Sequence, residues 1–354
     1  MNSTIYMTPN GERQHGHCST AWTLLLARLE ATPEEDLEAT LDESDASASE
    51  MSPLERQNLG AWTRQYRGKP DPRFRVARCI ECHGTKPSVF AKLMADPNIA
   101  EIEALEVRET PLGMKAVDAL LASSIKRLSL LALEEIGLKP EAVAKLMTWP
   151  VLEQVRVLSL AYHSKFGTKS IMALAEAPWL ASLELLDLSG CADKVSRKAI
   201  EALARVPFTR LRSFSTSGSD YITAKGRGLP FLRGPGLGQL DLLSLHNMGF
   251  GDAELEELAE APVLGKLKTL HLGNNEFSSE GLAKFLGSVA LESVEELVAT
   301  HRAQRVFDRR VAEAVAEAPY LPQLRRLELG DGEGKAILAQ CPRVPASLRP
   351  RLAA

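Results

Sequence analysis

The apolar residues of this chain follow the pattern L-x-x-L-x-L along much of its length. Four copies are complete, and five looser copies replace some of the leucines. The middle residues of the nine copies follow one another at intervals of 23 to 30 residues: Leu105, Leu128, Leu158, Leu186, Phe214, Leu243, Leu270, Leu297 and Leu327. Side chains two apart on a strand share one face, so each copy predicts a short strand that turns its leucines into a core.

Prolines repeat with the same period as the leucines. Six of them lie eight residues before a middle leucine: Pro97, Pro150, Pro178, Pro235, Pro262 and Pro319. Proline cannot continue a helix, so each predicts a helix end just before a strand. Upstream of these prolines, segments such as residues 169–177 and 253–261 carry apolar residues three and four apart, which is typical of a helix. The repeat therefore predicts strand, turn, helix and turn in about 28 residues.

This unit resembles the leucine-rich-repeat family, in particular its ribonuclease-inhibitor-like class. Residues 267–282, LKTLHLGNNEFSSEGL, carry the clearest match, with Asn275 at the family's asparagine-ladder position. Cys191 is the family's other accepted residue there, whereas His163 and Met248 depart from it, which implies incomplete side-chain bonding to their turns. The resemblance implies an α/β fold: a curved solenoid of about nine β-α repeats, with a parallel concave sheet and outer helices.

Residues 1–72 lack the period. Residues 20–30 and 53–66 have helical patterns, whereas residues 34–50 between them are acidic, rich in Ser and Ala, and expected to be exposed. A solenoid must cover the core of its first repeat. We therefore interpret residues 1–72 as an N-terminal α-helical cap, with a small separate domain as the alternative.

The rest of the chain contains one regular segment and three that depart from the repeat. Residues 73–96 are interpreted as a degenerate capping repeat, with RFRVARCI as its strand and PSVFAKLMA as its helix. Residues 97–345 form the solenoid, and residues 346–354 form a C-terminal tail. Within the solenoid, residues 215–238 are rich in glycine and lack a helical pattern. They indicate either a repeat that lost its outer helix or a loop that contacts a partner.

The composition bears on the class of partner and on the compartment. The formal net charge of −4 does not favour nucleic-acid binding, which normally needs a strongly basic face. No run of 18 apolar residues predicts a membrane span, and the N-terminus has no secretory pattern. The odd number of cysteines, 5, indicates reduced thiols and a cytoplasmic location.

Cys79, Cys82 and His83 form a C-x-x-C-H string. Such a string attaches c-type haem through two thiols, with the histidine as axial ligand, but attachment requires export. No second C-x-x-C is present to complete a tetrahedral zinc site. We therefore favour structural or chance residues and keep a metal or redox role as a minor alternative.

His246 and His271 fall on the predicted concave face of consecutive repeats and are expected to approach each other. We interpret them as surface histidines of a binding groove, because no nearby carboxylate supports a metal pair or an acid–base pair. The sequence also lacks the motifs of serine hydrolases, zinc proteases and phosphate-binding loops. It therefore predicts neither an enzyme nor a bound cofactor or metal.

The predicted strands place their third, fifth and seventh motif positions on the concave face. Small and hydroxylic residues fill its centre beside an apolar stripe, and such a stripe on an open surface favours a contact patch. The predicted partner-binding residues are Leu131, Val157, Tyr162, Leu185, Leu242, His246 and His271. We predict a scaffold that binds a protein partner, not a nucleic acid or a membrane, through this face.

A regulator of an enzyme, either an inhibitor or a GTPase activator, is the alternative function. A GTPase activator would present Arg or Asn at one rim, and Arg108, Arg127 and Asn247 are available for that role. The sequence indicates neither the identity of the partner nor the oligomeric state.

Overall fold

The computed structural model describes residues 6–7, 13–14, 27–29, 31–50, 69–191, 195–218, 230–234, 236–288, 291–301 and 307–353. The chain divides into two compact units, one with residues 1–8 and 12–165 and the other with residues 9–11 and 166–354. In both units a short strand is followed by a turn, usually a helix, and a second turn that leads to the next strand. In the part that is described, no helix is both long and apolar enough to cross a membrane.

The N-terminal part of the first unit contains two short strands. β1 (Tyr6–Met7) and β2 (Arg13–Gln14) pair antiparallel. Of the helix predicted over residues 20–30, residues 27–29 are described and are helical. The helix predicted over residues 53–66 lies outside the described residues.

Residues 34–50 are helical rather than an exposed acidic connection. A 3₁₀ turn at Glu34–Asp36 leads into a helix at Leu37–Glu50. Leu37 and Leu41 of this helix are buried, whereas acidic residues such as Glu38 and Asp42 are exposed, so the expected exposure holds for the acidic side chains and not for the leucines. Leucines four residues apart share one side of a helix and can hold an otherwise polar helix against the rest of the unit.

Four parallel strands of the first unit pair in chain order: β3 (Cys79–His83), β4 (Ala104–Arg108), β5 (Leu130–Glu134) and β6 (Val157–Ser159). Their register places one buried apolar residue of each strand side by side: Ile80, Leu105, Leu131 and Leu158. A helix follows each of the first three strands, at Pro87–Met94, Met114–Leu121 and Pro140–Leu146. These helices turn apolar residues such as Phe90 and Leu120 into the core.

The second unit has six parallel strands in chain order: β7 (Leu185–Asp187), β8 (Ser213–Ser215), β9 (Leu242–Ser244), β10 (Thr269–His271), β11 (Glu296–Val298) and β12 (Arg326–Glu328). Its described α-helices are Gly167–Ala175, Arg197–Ala204, Asp252–Ala259, Ser279–Ser288, Arg309–Glu317, Gly334–Gln340 and Arg349–Ala353. The middle residues of the leucine pattern lie in register from Leu186 through Phe214 to Leu327 and are buried. The parallel pairing and the strand–helix alternation confirm the predicted α/β solenoid.

Four of the six repeated prolines follow a helix and open a turn. Each preceding helix ends upstream of its proline, as predicted, and a 3₁₀ turn then begins at the proline: Pro97–Ile99, Pro150–Gln154, Pro178–Ser182 and Pro262–Lys266. The missing N–H of proline costs nothing at the first position of such a turn, where that donor has no partner within the turn. Leu152 and Leu180 in two of these turns are fully buried, so the turns close the core between helix and strand.

One repeat has a register different from the predicted one. Leu131, not Leu128, pairs with Leu105, so the leucine pattern here consists of Leu128, Leu131 and Leu133. Leu131 is fully buried, and its predicted place on the contact stripe is wrong. The other register would bury Leu130 but turn Leu131 and Leu133 away from the core, which loses more buried apolar surface.

The repeat predicted over residues 73–96 has its strand later than expected. Residues 72–76 form a 3₁₀ turn, where the N–H of Arg73 donates to the Asp71 carboxylate at 3.0 Å, and β3 begins only at Cys79. A proline opens this turn too. The predicted helix of this repeat is present at Pro87–Met94.

The glycine-rich repeat contains a 3₁₀ turn at Pro230–Arg233, and the loop predicted there falls mainly on residues 219–229, which lie outside the described residues. Phe231 of this turn is buried, and its ring centroid lies 4.3 Å from that of Phe214 in β8. A Cβ atom at Gly234 would lie 2.5 Å from the carbonyl oxygen of Ala204. Glycine is therefore required where this turn meets the preceding helix.

A left-handed turn follows most strands in both units. The residue after the seventh motif position has a positive φ in eight repeats: Gly84, Glu109, Glu135, Tyr162, Gly190, Gly218, Asn247 and Asn274. Glycine adopts this conformation without strain and asparagine tolerates it, whereas other L-residues lose about 1–2 kcal/mol. The next residue lies at the asparagine-ladder position, and Thr110, His163 and Asn275 are buried there.

Candidate binding surface

In the first unit, the face of the sheet opposite the core carries charged side chains, most of which pair with one another. Arg108 Nη2 donates a hydrogen bond to Glu106 Oε2 at 2.5 Å, and Arg108 Nε lies 3.2 Å from Glu134 Oε2. Ser159 Oγ donates to Glu134 Oε1 at 2.6 Å. Burial opposes the charge of Arg108, but Glu106 and Glu134 outweigh it, so its pKa is raised. These groups form an internal network rather than an open patch.

Three exposed side chains follow the strands at the rim of this face. Glu109, Glu135 and Tyr162 occupy left-handed turn positions with φ of 48°, 53° and 61°. Tyr162 is 55% exposed, and Met114, at 38%, is the other large hydrophobic side chain of the described residues that is exposed. Since a bulky residue at positive φ is an outlier, Tyr162 combines an unfavourable backbone with an exposed ring.

The two cysteines of the C-x-x-C-H string lie on opposite faces of β3. Cys82 pairs in register with Val107 and is 5% exposed, whereas Cys79 and His83 alternate onto the other face. Burial raises the pKa of Cys82 to about 12, which keeps it a thiol. His83 Nε2 lies 2.9 Å from Glu109 Oε2. Sulfurs on opposite faces of one strand do not ligate one ion, which weighs against the metal or redox alternative.

Asn275 connects two neighbouring turns in the manner of an asparagine ladder. Its Oδ1 accepts hydrogen bonds from the N–H groups of Met248 at 2.8 Å and Phe250 at 3.1 Å. Its Nδ2 donates to the carbonyl oxygens of Leu245 at 3.0 Å and Leu272 at 2.8 Å. One fully buried amide therefore satisfies four backbone groups that are inaccessible to water.

A histidine fills the same role in part at position 163. His163 Nε2 donates to the carbonyl oxygen of Leu133 at 2.9 Å. Leu133 is the last leucine of its repeat, as Leu245 is in the repeat before Asn275, so the two bonds are equivalent. Burial lowers the pKa of His163 to about 4, and the bond to Leu133 opposes this shift. This single bond, beside the four of Asn275, agrees with the expectation of incomplete side-chain bonding at this turn.

The corresponding face of the second unit carries a run of hydroxyl groups. Ser189 Oγ and Ser215 Oγ are 2.7 Å apart, and Ser217 Oγ and Ser244 Oγ are 3.0 Å apart. Ser215 and Ser244 at the fifth motif position and Ser189 at the seventh are buried, because neighbouring parallel strands crowd this face. These hydroxyls bond to one another, so crowding and mutual hydrogen bonding account for the small residues at the centre of the face.

Two histidines lie at the end of this run. His271 is fully buried at the fifth motif position of β10, between Ser244 and Val298 on the adjacent strands. Neither of its ring nitrogens has a hydrogen-bond partner among the described residues, and the same holds for His246 Nδ1. The two ring centroids are 6.1 Å apart. Burial lowers the pKa of both imidazoles, that of His271 to about 3, with His246 and Arg326 adding to the shift of His271.

The predicted contact residues differ in exposure. Five of them are partly or well exposed: Val157 and Tyr162 in the first unit, and Leu185, Leu242 and His246 in the second. Leu131 and His271 are fully buried and do not reach a partner in this conformation. Partner contact by the five exposed residues stays a prediction.

Glu134 and Glu135 were missed by the sequence prediction because the register of that repeat was shifted. Counted from Leu131 as the middle leucine, Glu134 stands at the seventh motif position and Glu135 at the left-handed turn. The spacing itself contains the signal. Placing the middle residue at Leu131 gives intervals of 26 and 27 residues to its neighbours, instead of 23 and 30.

The groups named for a GTPase activator are engaged within their own units. Arg127 Nη2 lies 3.4 Å from Glu101 Oε2 and 3.8 Å from Glu103 Oε1, and Arg108 is paired as described above. Asn247 Oδ1 accepts a hydrogen bond at 3.0 Å from the asparagine of the next turn. An arginine that acts on another protein would first have to leave these carboxylates, which weighs against this alternative.

The register of the strands decides the fold. In each strand pair within a unit from β4 onward, the middle residue of one L-x-x-L-x-L copy lies directly beside that of the next. The chain has the leucine-rich-repeat fold. The ribonuclease-inhibitor-like class of leucine-rich repeat stays a prediction.

Solved structures are similar to this chain at low sequence identity. A chain from the crystal structure of the Rad7 and Elc1 complex in yeast is 15% identical with a TM-score of 0.53, over 92% of this chain and 78% of that chain. A leucine-rich-repeat protein of Leptospira interrogans is 15% identical with a TM-score of 0.40, over 76% of this chain and 58% of that one. A protein from Bacteroides fragilis is also 15% identical, with a TM-score of 0.41 over 81% and 88% of the two chains. No family model matches the sequence, and no curated protein matches it.

Proposed function

We propose that this protein is a scaffold that binds a protein partner, with the rim of the first unit around Tyr162 as a principal contact. The observation that carries the proposal is an aromatic ring, 55% exposed, on a residue with φ of 61°. Glycine would fit this turn without strain, as it does after other strands. Exposed tyrosines are frequent anchors of protein interfaces, because they bury a large ring and keep a polar tip.

The partner that suits this rim carries a cationic group beside an apolar one. Glu109 and Glu135 are exposed at the equivalent turns of the two preceding repeats. Neighbouring strands lie about 4.8 Å apart, so these carboxylates and the ring of Tyr162 face a partner together. An arginine of the partner would gain from both the carboxylates and the aromatic face.

Two further observations support a scaffold. The similar yeast structure is a complex of two proteins, Rad7 and Elc1. By analogy we expect this chain to bind a protein partner as well. The four described cysteines are all unbridged, which agrees with a reducing compartment such as the cytoplasm. We therefore expect a non-enzymatic binding role there.

Affinity purification with mass spectrometry tests this proposal with the wild type and two variants. Tyr162→Asn removes the ring but keeps a residue that tolerates the left-handed turn, as Asn247 and Asn274 do. Met114→Ala is the matched control, because it truncates the other exposed large hydrophobic side chain of the described residues. We expect Tyr162→Asn to lose a partner that Met114→Ala retains, and to weaken that purified partner at least about tenfold in calorimetry. Equal binding by all three proteins would contradict the proposal.

A further inference from the structure

Charges alternate in sign along one edge of the sheet in the second unit. A charged residue stands at the second position of each leucine motif there, directly before the strand begins. We call this set the charge row, and in chain order it consists of Glu184, Arg212, Asp241, Lys268, Glu295 and Arg325. All six residues are partly or well exposed, so the row forms part of the surface of the unit.

Backbone hydrogen bonds hold the charge row in register. The N–H of Arg212 donates to the carbonyl oxygen of Glu184 at 2.8 Å, and the same bond joins each member to the next as far as Arg325, at 2.7 to 2.9 Å. Neighbouring strands lie about 4.8 Å apart, so the six charges occupy evenly spaced places over about 24 Å. Exposed residues just upstream extend the pattern, since Arg210 and Lys266 precede two of the cations and Glu292 precedes one of the acids.

Pairing within the chain uses only part of this charge. Asp241 lies 4.0 Å from Arg212 and 3.5 Å from Lys268, and Arg325 lies 3.1 Å from Glu295. The side chains of Arg212 and Lys268 are 59% and 58% exposed, and ion pairs in such positions contribute little in water. The members of the charge row therefore remain accessible to an opposing charged surface.

A row of six alternating charges is complementary to a reversed copy of itself. A two-fold axis through the centre of the row reverses its direction and superimposes the same spacing, because both copies have the same strands. Opposite charges then meet at every place, and each contact occurs twice: Glu184 with Arg325, Arg212 with Glu295, and Asp241 with Lys268. A row of one sign would repel its copy in this arrangement.

From this complementarity we propose that the charge row binds a second copy of this chain in an antiparallel, two-fold symmetric dimer. Complementary charges set the register and the specificity of an interface more than its strength, so the dimer is weak and sensitive to salt. Arg156, at the equivalent position of the first unit, donates to the carbonyl oxygens of Glu153 and Val155 in its own turn. The contact thus belongs to the second unit and is independent of the proposed contact around Tyr162.

Sedimentation equilibrium of the full-length protein tests the dimer. We expect the dissociation constant of the wild-type dimer to rise at least about tenfold between about 50 mM and about 500 mM NaCl, because salt screens exposed charges. Asp241→Lys brings like charges together at two contacts, so it should raise the constant at least about tenfold at low salt. Glu141→Lys is the matched control, since it makes the same change of charge at an exposed position on a helix of the first unit and should dimerise like the wild type.

A double variant, Asp241→Lys with Lys268→Asp, separates contacts between copies from contacts within one chain. It restores opposite charges across the two-fold axis, but within each chain it puts like charges beside Arg212 and Glu295. We therefore expect dimerisation to return close to the wild-type value. A wild type that stays monomeric at low salt, a dimer that Asp241→Lys leaves unchanged, or a double variant that binds no tighter than the single one would overturn the proposal. If circular dichroism shows that these variants are misfolded, Arg212→Glu alone and with Glu295→Arg tests the next pair in the same way.

Discussion

Acid is expected to destabilise this protein through His163, and the sign follows from its burial. The imidazole is 1% exposed and binds the Leu133 carbonyl as a neutral donor. Its pKa is lowered to about 4, whereas an unfolded chain gives histidine its ordinary pKa of about 6.5. The unfolded state therefore takes up a proton first as pH falls. Stability is complete above about pH 6.5 and is lost progressively down to about pH 4.

The size of this loss follows from the two pKa values. At pH 5 the unfolded imidazole is almost fully protonated and the folded one is mostly neutral, so His163 lowers the free energy of unfolding by about 2 kcal/mol relative to pH 7.5. Below pH 4 the loss levels off at about 3 kcal/mol. Such a loss is a large fraction of the stability of an ordinary domain.

His163→Asn should remove this sensitivity and keep the structural bond. Asparagine at the equivalent position 275 donates to the Leu245 carbonyl at 3.0 Å, so the same bond to Leu133 is expected. Urea unfolding at pH 7.5 and 5.0 should show that the variant loses about 2 kcal/mol less than the wild type between the two values. His83→Asn, on an exposed histidine, is the control and should behave like the wild type. A ring titration of His163 near pH 6.5 in NMR, or an equal acid loss in wild type and variant, would refute the reasoning.

Three further perturbations test other parts of the structure. Asn275→Ala leaves two backbone N–H groups and two carbonyls buried without a partner. Thermal unfolding should therefore show that the free energy of unfolding falls by about 3 kcal/mol or more. A fall below about 1 kcal/mol would contradict the bonding described. Gly236→Ala should cost about 1–3 kcal/mol, because its Cβ would lie 2.5 Å from the Phe208 nitrogen, whereas Gly238→Ala, with nothing within 4 Å, should be nearly neutral in the same assay. The pKa of Cys82 is raised to about 12, so iodoacetamide at pH 8 should alkylate it far more slowly than the less buried Cys341, as peptide mass spectrometry would show. Similar rates for the two thiols would place Cys82 outside the core.

Much of the fold was predictable because most repeats leave two independent marks on the sequence, the leucine pattern and the proline before the strand. The predicted register was wrong in the one repeat where the leucine pattern fits the sequence in two ways. Leu128, Leu130, Leu131 and Leu133 support two registers, and the structure takes the one that buries more leucine. The helix at Leu37–Glu50 was also not predicted, because its acidic and Ser-rich composition obscures the two leucines that it buries.

The candidate surface was less predictable than the fold, for a physical reason. Alternation along a strand shows which face a side chain takes, but not how far its neighbours cover it. Parallel strands about 4.8 Å apart let adjacent side chains cover one another, so His271 and Ser244 are buried on a face that was expected to be open. At the left-handed turns the opposite holds, because Tyr162 projects beyond the strands and is 55% exposed. Exposure in this fold therefore favours the rim over the centre of the face.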